Sequence, residues 1–377
     1  MKFQRQISAR IKSKIHQGKA IVLTGPRQVG KTTLINTLLE KDENVLFLNG
    51  DDVQVRQMLE EANLQDVKRI IGKNTIVFID EAQRINNIGL TSKLISDQLK
   101  NVQLFLSGSS SLDLNNNINE PLTGRKWEYN LYPISWSEFQ EKLGYVDAIS
   151  QLNHRLIYGM YPDVINNPGD EREVLQNLAN SYLYKDILIL ANIKKPDILE
   201  KLVQALAYQL GQEVSYNELA QLLGVNKETI ASYIQLLEKA FIIFRVNAFS
   251  RNLRNEIKFN KKIYFYDNGI RNAVISSFNN IELRNDKGAL WENFLISERI
   301  KHLSYNKMYG SYYFWRTKQR QEIDWVEERD AKISAYEFKW NDKKKAKIPK
   351  KFIEAYNADT KIIDRSNFVE FVMNEEN

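Results

Sequence analysis

Along the first third of the chain, short apolar runs alternate with stretches in which apolar residues recur every three or four positions. The runs KAIVLTG (19–25), NVLFLNG (44–50), NTIVFIDE (74–81) and NVQLFLSGS (101–109) are almost continuously apolar and rich in β-branched residues. A strand with one wet face alternates. A run that does not alternate is buried on both faces, as in a parallel sheet covered by helices. RKWEYNLYP (125–133) supplies a fifth strand, and Pro133, which cannot donate to a ladder, marks its end. The pattern predicts a doubly wound α/β domain. Ahead of it, Phe3, Ile7, Ile11 and Ile15 recur every four residues, which predicts an amphipathic helix packed on that domain.

Beyond Pro133 the period changes. Residues 135–210 read as helical, broken by the turn-rich GMYPDVINNPGDER (159–172). In SYNELAQLLGVNKETIASYIQLLEKAFIIFRV (215–246), two helical stretches meet at GVN and an apolar strand follows. That is a helix-turn-helix pattern with a winged-helix continuation, the wing returning through KKIYFYD. From about Lys287 the expected order is helix, strand, strand, strand, helix, strand. The segments are GALWENFLISERIKHL, SYYFWRT, QEIDWVEE, SAYEFKW, PKKFIEAYN and TKIID. The expected division is 1–140, 141–280 and 281–377.

Composition narrows the chemistry. The chain has no cysteine, which excludes disulfides, thiolate zinc sites and a thiol nucleophile. No run approaches the roughly 20 apolar residues of a membrane span. The basic N-terminus lacks the apolar core of a secretory signal, so a cytoplasmic location is expected. A formal net charge of +6 permits a nucleic-acid partner without requiring one.

GPRQVGKT follows a strand and opens the helical KTTLINTLLE, the setting of a phosphate-binding loop. Gly25, Pro26, Arg27, Gln28, Val29, Gly30, Lys31, Thr32 and Thr33 are the candidate nucleotide-binding residues. The two glycines let the backbone turn its N–H groups towards phosphates, and the helix N-terminus adds positive potential. Lys31 would reach the β- and γ-phosphates, and the Thr32 hydroxyl would ligate Mg²⁺. The strand of TIVFIDEAQR ends in Asp80, placed to hold the Mg²⁺, and Glu81, placed as general base for the attacking water. The intervening strand NVLFLNG marks the additional-strand, catalytic-Glu type of NTPase and would hold the strands of the two motifs apart in the sheet. Ser107 or Ser109 could sense the γ-phosphate or simply cap a strand. Arg125, in LTGRKWEY, is the candidate cation for the transition state, in cis or from a neighbouring subunit, with a surface arginine as its rival reading. No N-K-x-D loop follows a strand, which favours ATP over GTP.

Taken together, TGPRQVGKTT, FIDEAQR, LSGSSS, LTGR, LYPISWSEF and YLYKDIL resemble the AAA-type ATPases of bacteria and archaea that carry an uncharacterised C-terminal domain. The resemblance spans nearly the whole chain. It implies an α/β P-loop ATPase domain, then a winged helix, then a domain similar to the restriction-endonuclease, or PD-(D/E)XK-like, fold.

Such an endonuclease-like core places an acid on its helix, Asp on one strand and Glu-x-Lys on the next. Glu292, Asp324, Glu337 and Lys339 occupy those places. Period-two geometry sets Glu337 and Lys339 on one strand face, opposite Tyr336, Phe338 and Trp340, while Glu322 shares a face with Asp324. Glu292, Asp324 and Glu337 are the expected ligands of one or two Mg²⁺, and Lys339 would orient water or neutralise charge. An ordinary half-exposed strand shows the same alternation. The lysine run KWNDKKKAKIPKK and the stretch RNLRNEIKFNKK would suit a DNA backbone or be a solvated face. The second helix of the helix-turn-helix has few cations, so DNA contact and a domain-linking role both stay open. The expected function is a Mg²⁺-dependent ATPase whose nucleotide state controls the winged-helix and endonuclease-like region, with DNA as candidate substrate. The alternative is a non-cutting switch whose C-terminal domain only binds a protein or nucleic-acid partner. A homo-oligomer is left open.

Overall fold

The computed structural model describes residues 1–108, 121–180, 193, 195–250, 261–317, 319, 321–341 and 348–373. The chain divides into two compact units: residues 2–133 with 239–241, and residues 134–238 with 242–377 and Met1.

The N-terminal unit is built on five parallel strands, β1 (Ala20–Thr24), β2 (Val45–Asn49), β3 (Ile76–Asp80), β4 (Gln103–Gly108) and β5 (Lys126–Asn130), in the order β2-β3-β4-β1-β5. Every residue of β1, β3 and β4 is buried, as unalternated apolar runs require of interior strands. The edge strands β2 and β5 are partly exposed. The two motif strands are apart in the sheet, as the sequence predicts, but the strand between them is β4, and NVLFLNG forms the edge strand β2 instead. The amphipathic N-terminal segment forms only a short helix, α1 (Ser8–Lys12), and buries Ile7 and Ile11.

The C-terminal unit opens on the ISWSEF stretch. Ser135 and Glu138 form a reciprocal capping box at a helix start, Trp136 is fully buried against Phe294 and Phe368, and the Trp136 N–H donates to Glu298 Oε2 at 2.6 Å. These residues hold structure rather than chemistry. Further on, α2 (Tyr216–Leu223) and α3 (Lys227–Lys239) meet at GVN. Gly224 takes the left-handed φ of +65° that ends α2, and Asn226 Oδ1 accepts the Thr229 N–H at 2.7 Å to start α3. The strand β6 (Glu213–Val214) precedes this helix pair and β7 (Ile243–Ala248) and β8 (Lys261–Phe265) follow it, β8 pairing antiparallel with both β6 and β7. The tip of the predicted wing, 251–260, lies outside the described residues.

After α4 (Lys287–Tyr305) come β9 (Ser311–Arg316), β10 (Glu322–Arg329), β11 (Lys332–Phe338), α5 (Lys350–Tyr356) and β12 (Asp359–Ile363), in the order the sequence predicts, and then α6 (Phe368–Met373). The sheets do not stop at a boundary near residue 280. β7 pairs with β8 through 243–246 and then with β9 through Asn247 and Ala248, which makes one seven-stranded sheet, β12-β11-β10-β9-β7-β8-β6. Arg316 on β9 reaches Glu213 on β6 at 2.8 Å, and Lys262 on β8 reaches Glu322 on β10 at 2.5 Å. Each pair joins strands three places apart, a span of roughly 14 Å in a flat sheet. The sheet is therefore curled.

α4 is buried nearly all round, and it carries charge into the core. Arg299, with no exposed surface, makes a two-pronged pair with Glu327 on β10, Nε to Oε1 at 2.7 Å and Nη2 to Oε2 at 3.0 Å. Its Nη1 donates to the Phe371 carbonyl of α6 at 2.7 Å, and Trp325 Nε1 donates to Glu327 at 2.7 Å. One ion pair thus ties a helix, a strand and the last helix together.

Candidate functional site

The first cluster sits at the C-terminal ends of β1, β3 and β4. The loop after β1 turns through Gly25 (φ +153°), Gln28 (φ +60°) and Gly30 (φ +92°). A Cβ on Gly25 would stand 2.0 Å from the Leu131 carbonyl oxygen, so only glycine fits. Lys31 is 5% exposed and folds back on the loop, donating to the carbonyls of Gly25 at 3.0 Å and Pro26 at 2.7 Å. Burial lowers its ammonium pKa to about 8, against the opposing charges of Glu81 and Asp80. Thr32 Oγ1 donates to Asp80 Oδ2 at 2.6 Å, and Ser107 Oγ bonds Asp80 Oδ1. A hydroxyl and a carboxylate held together beside an ammonium-bearing loop fit Mg²⁺ bound with a polyphosphate. Ser109, the other candidate from that strand end, lies outside the described residues.

Glu81 has a left-handed backbone (φ +48°), a strained state for a residue with a Cβ, and Gln83 Nε2 donates to its Oε2. Gly50, at the end of β2, makes room for it: a Cβ there would stand 2.4 Å from the Glu81 carbonyl oxygen. Arg125 is placed elsewhere. Its carbonyl accepts the Ala20 N–H, at the start of β1, and its Nε is paired with Asp97 at 2.7 Å. The loop leaves the other end of β1, roughly 13 Å along the strand. Arg125 therefore stands at the end of the sheet away from its own loop.

Sequence reasoning missed Arg5. Its guanidinium is 7% exposed and donates to the carbonyls of Val29 at 2.8 Å and Tyr132 at 2.5 Å. In a trans peptide the C=O and the following N–H point opposite ways. Fixing the Val29 carbonyl on Arg5 aims the Gly30 N–H away from Arg5, as an anion-binding loop needs. Within a basic N-terminal stretch, nothing local distinguishes this arginine from its solvated neighbours.

The second cluster is in the C-terminal unit. Asp324 on β10 and Glu337 on the adjacent β11 are near one another and near Glu292 of α4. Burial, then the charges of Glu292 and Glu337, pushes the Asp324 carboxyl well above its usual range. Burial also raises Glu337, against the Lys339 ammonium that donates to it at 2.6 Å. Tyr336 and Phe338 are buried on the opposite face, as period two predicts. Glu337 Oε2 is buried without a hydrogen-bond partner among the described residues.

The expected metal set does not form. Among the described residues, no three acidic or histidine side chains are placed to hold one ion. Among these acids sits Lys262, which the sequence reading placed at the end of a basic stretch, DNA-facing or solvated. Lys262 of β8, 2% exposed, puts its Nζ 3.1 Å from Glu292 Oε1 and 2.5 Å from Glu322 Oε1, and the Tyr264 hydroxyl donates to the same Glu292 oxygen at 2.6 Å. Burial alone would lower the Lys262 pKa, yet the surrounding charges, Glu292 first, hold it well above the usual lysine range. Glu292, Asp324 and Glu337 thus share a region but not a metal position. Most of the two basic stretches proposed for DNA, 251–260 and 342–347, lies outside the described residues.

Three family models match the chain: an AAA domain over 17–140, a domain of unknown function (DUF8612) over 149–281, and another (DUF4143) over 287–375. An uncharacterised protein of Mycobacterium tuberculosis is 26% identical over 342 residues, 89% of this chain and 74% of its own. An uncharacterised protein of Methanocaldococcus jannaschii is 24% identical over 314 residues, covering 78% and 69%. Among solved structures, a Walker-type ATPase of Pyrococcus abyssi superposes with a TM-score of 0.52 at 14% identity, covering 73% of this chain and 96% of that one. The N-terminal unit thus has the P-loop ATPase fold. No helix of the described residues is long and apolar enough to cross a membrane.

Proposed function

We propose that the N-terminal unit hydrolyses Mg²⁺-bound ATP and that its nucleotide state controls what the C-terminal unit engages. The carrying observation is the meeting of Lys31, Thr32, Asp80, Ser107 and Glu81 at one edge of the sheet. The loop N–H groups and Lys31 bind the phosphates. Thr32 and Asp80 would hold Mg²⁺, which supplies charge neutralisation on the phosphate oxygens. Glu81 accepts the proton of the attacking water, with Gln83 fixing its carboxylate. Glu81→Gln keeps the shape of the side chain and removes the base. Its phosphate release should fall at least about 100-fold with ATP affinity retained. Turnover at the wild-type rate would remove Glu81 from the mechanism. Arg125 would act from a second copy in an oligomer.

For the C-terminal unit, the helix pair with β7 and β8 supports a winged helix, and the run from α4 to β12 supports a PD-(D/E)XK-like core. DNA cleavage is the second reading. Asp324 and Glu337 standing on paired antiparallel strands, with Lys339 beside Glu337, favour it, and the Lys262 ammonium on Glu292 and Glu322 opposes it. Plasmid and linear DNA, incubated with Mg²⁺ or Mn²⁺ with and without ATP, decide it. Cleavage lost in both Asp324→Ala and Glu337→Ala supports a nuclease. No cleavage by an ATPase-active chain leaves a module that binds a protein or nucleic-acid partner.

A further inference from the structure

The carboxylates of the C-terminal cluster raise a question of charge. Glu292, Glu322, Asp324 and Glu337 bring four acids to one curled stretch of sheet. Among the described residues, three protein cations meet them: Lys262 on Glu292 and Glu322, Lys339 on Glu337, and Arg316 at 3.9 Å from Glu322. Of these, Lys262 is distinct in being almost wholly buried; the Lys339 and Arg316 side chains are 30% and 34% exposed. Its Nζ also lies 5.5 Å from the centre of the Phe314 ring. A buried ammonium with two carboxylates and an aromatic face is held there permanently, because withdrawing it would leave uncompensated charge on both sides.

We propose that Lys262 stands in for a metal ion at Glu292 and Glu322, so that the cluster takes no divalent cation. The divalent site expected from the sequence uses Glu292 together with Asp324 and Glu337. Glu292 is committed through one oxygen to both Lys262 and Tyr264. The lysine comes from β8, outside the segment from α4 to β12 that supplies the acids, and it arrives only because the sheet curls. The residue that decides the cofactor therefore belongs to the hairpin that follows the helix-turn-helix.

The test counts bound Mn²⁺ on the nucleotide-free full chain by electron paramagnetic resonance at millimolar metal. It compares wild type, Asp324→Asn, Lys262→Met, Lys262→Gln and the double variants. Wild type and Asp324→Asn should bind the same number of ions, since an ion at the nucleotide loop counts equally in both. Lys262→Met, or Lys262→Gln if the first does not fold, should gain one ion that Asp324→Asn then removes. An ion bound by wild type and lost in Asp324→Asn overturns the proposal. So does a folded Lys262 variant that gains none. The comparison of wild type with Asp324→Asn is decisive even if neither Lys262 variant folds. ATP turnover on the same samples separates this outcome from failure of the ATPase reading, because Lys262 has no part in the nucleotide site.

Discussion

Lys31→Met is expected to abolish ATP turnover and, at neutral pH, to raise the thermal midpoint of unfolding. The two effects have one cause. Lys31 is buried in a loop shaped for phosphate, and burial holds its pKa at about 8. Below that pH the ammonium is charged in both folded and unfolded chains, and the folded chain carries the whole desolvation cost, roughly 3 kcal/mol as a ceiling. The two hydrogen bonds to Gly25 and Pro26 return about 1 kcal/mol each at most. Removing the charge should therefore leave a net gain of about 1–2 kcal/mol. The sign with pH follows. Between about 8 and the unfolded lysine value, the folded wild type binds fewer protons than the unfolded chain, so its stability rises with pH. The advantage of Lys31→Met should shrink across that window, and wild-type ATP affinity should weaken above about pH 8 as the free ammonium loses its proton. Melting curves from pH 6.5 upwards read all of this. A variant that melts below wild type at pH 7 would show that the buried ammonium is not a liability.

Arg299→Met should cost about 3–5 kcal/mol of stability, enough to unfold a marginal domain. The change leaves Glu327, 2% exposed, buried without the guanidinium that now holds its carboxyl below the usual range against the pull of burial. It also frees the Phe371 carbonyl and takes away a cation seated 4.8 Å from the Phe371 ring. Removing both charges in Arg299→Met/Glu327→Met should recover most of the loss, because a buried ion pair is worth little more than apolar residues of similar size. Urea titration of the three chains, followed by tryptophan fluorescence, measures it. A double variant no better than the single one would mean that the pair matters for more than mutual neutralisation.

What local pattern could show, it showed. The apolar runs of β1, β3 and β4, the glycine loop and the acids closing β3 each depend on neighbours a few positions away. The Glu337–Lys339 face of β11 was legible for the same reason. Pairings over long separations were not. Arg5 finds its partner carbonyls at Val29 and Tyr132, Lys262 its carboxylates at Glu292 and Glu322, and Arg299 its carboxylate at Glu327. Each of these cations sits in a stretch where charge normally means a wet surface. α4 was hardest of all, since a helix buried on every side carries no polar stripe to report which of its charges have gone inside. Arg125 is the opposite case. Its neighbourhood in the sequence follows the nucleotide motifs, but in a parallel sheet a residue that precedes a strand lies at the end away from the loops.

β7 gives its first residues to β8 and its last two to β9, so the stretch between the two C-terminal family matches is not a seam. A fragment that stopped near 281 would leave the end of β7 with no strand beside it. One that began near 287 would open the flank of β9 at Tyr313 and Phe314. Raw strand flanks recruit other chains and drive aggregation. Genetic exchange that parted the two segments would therefore be expected to yield insoluble progeny, even though each half has a recognisable sequence identity of its own.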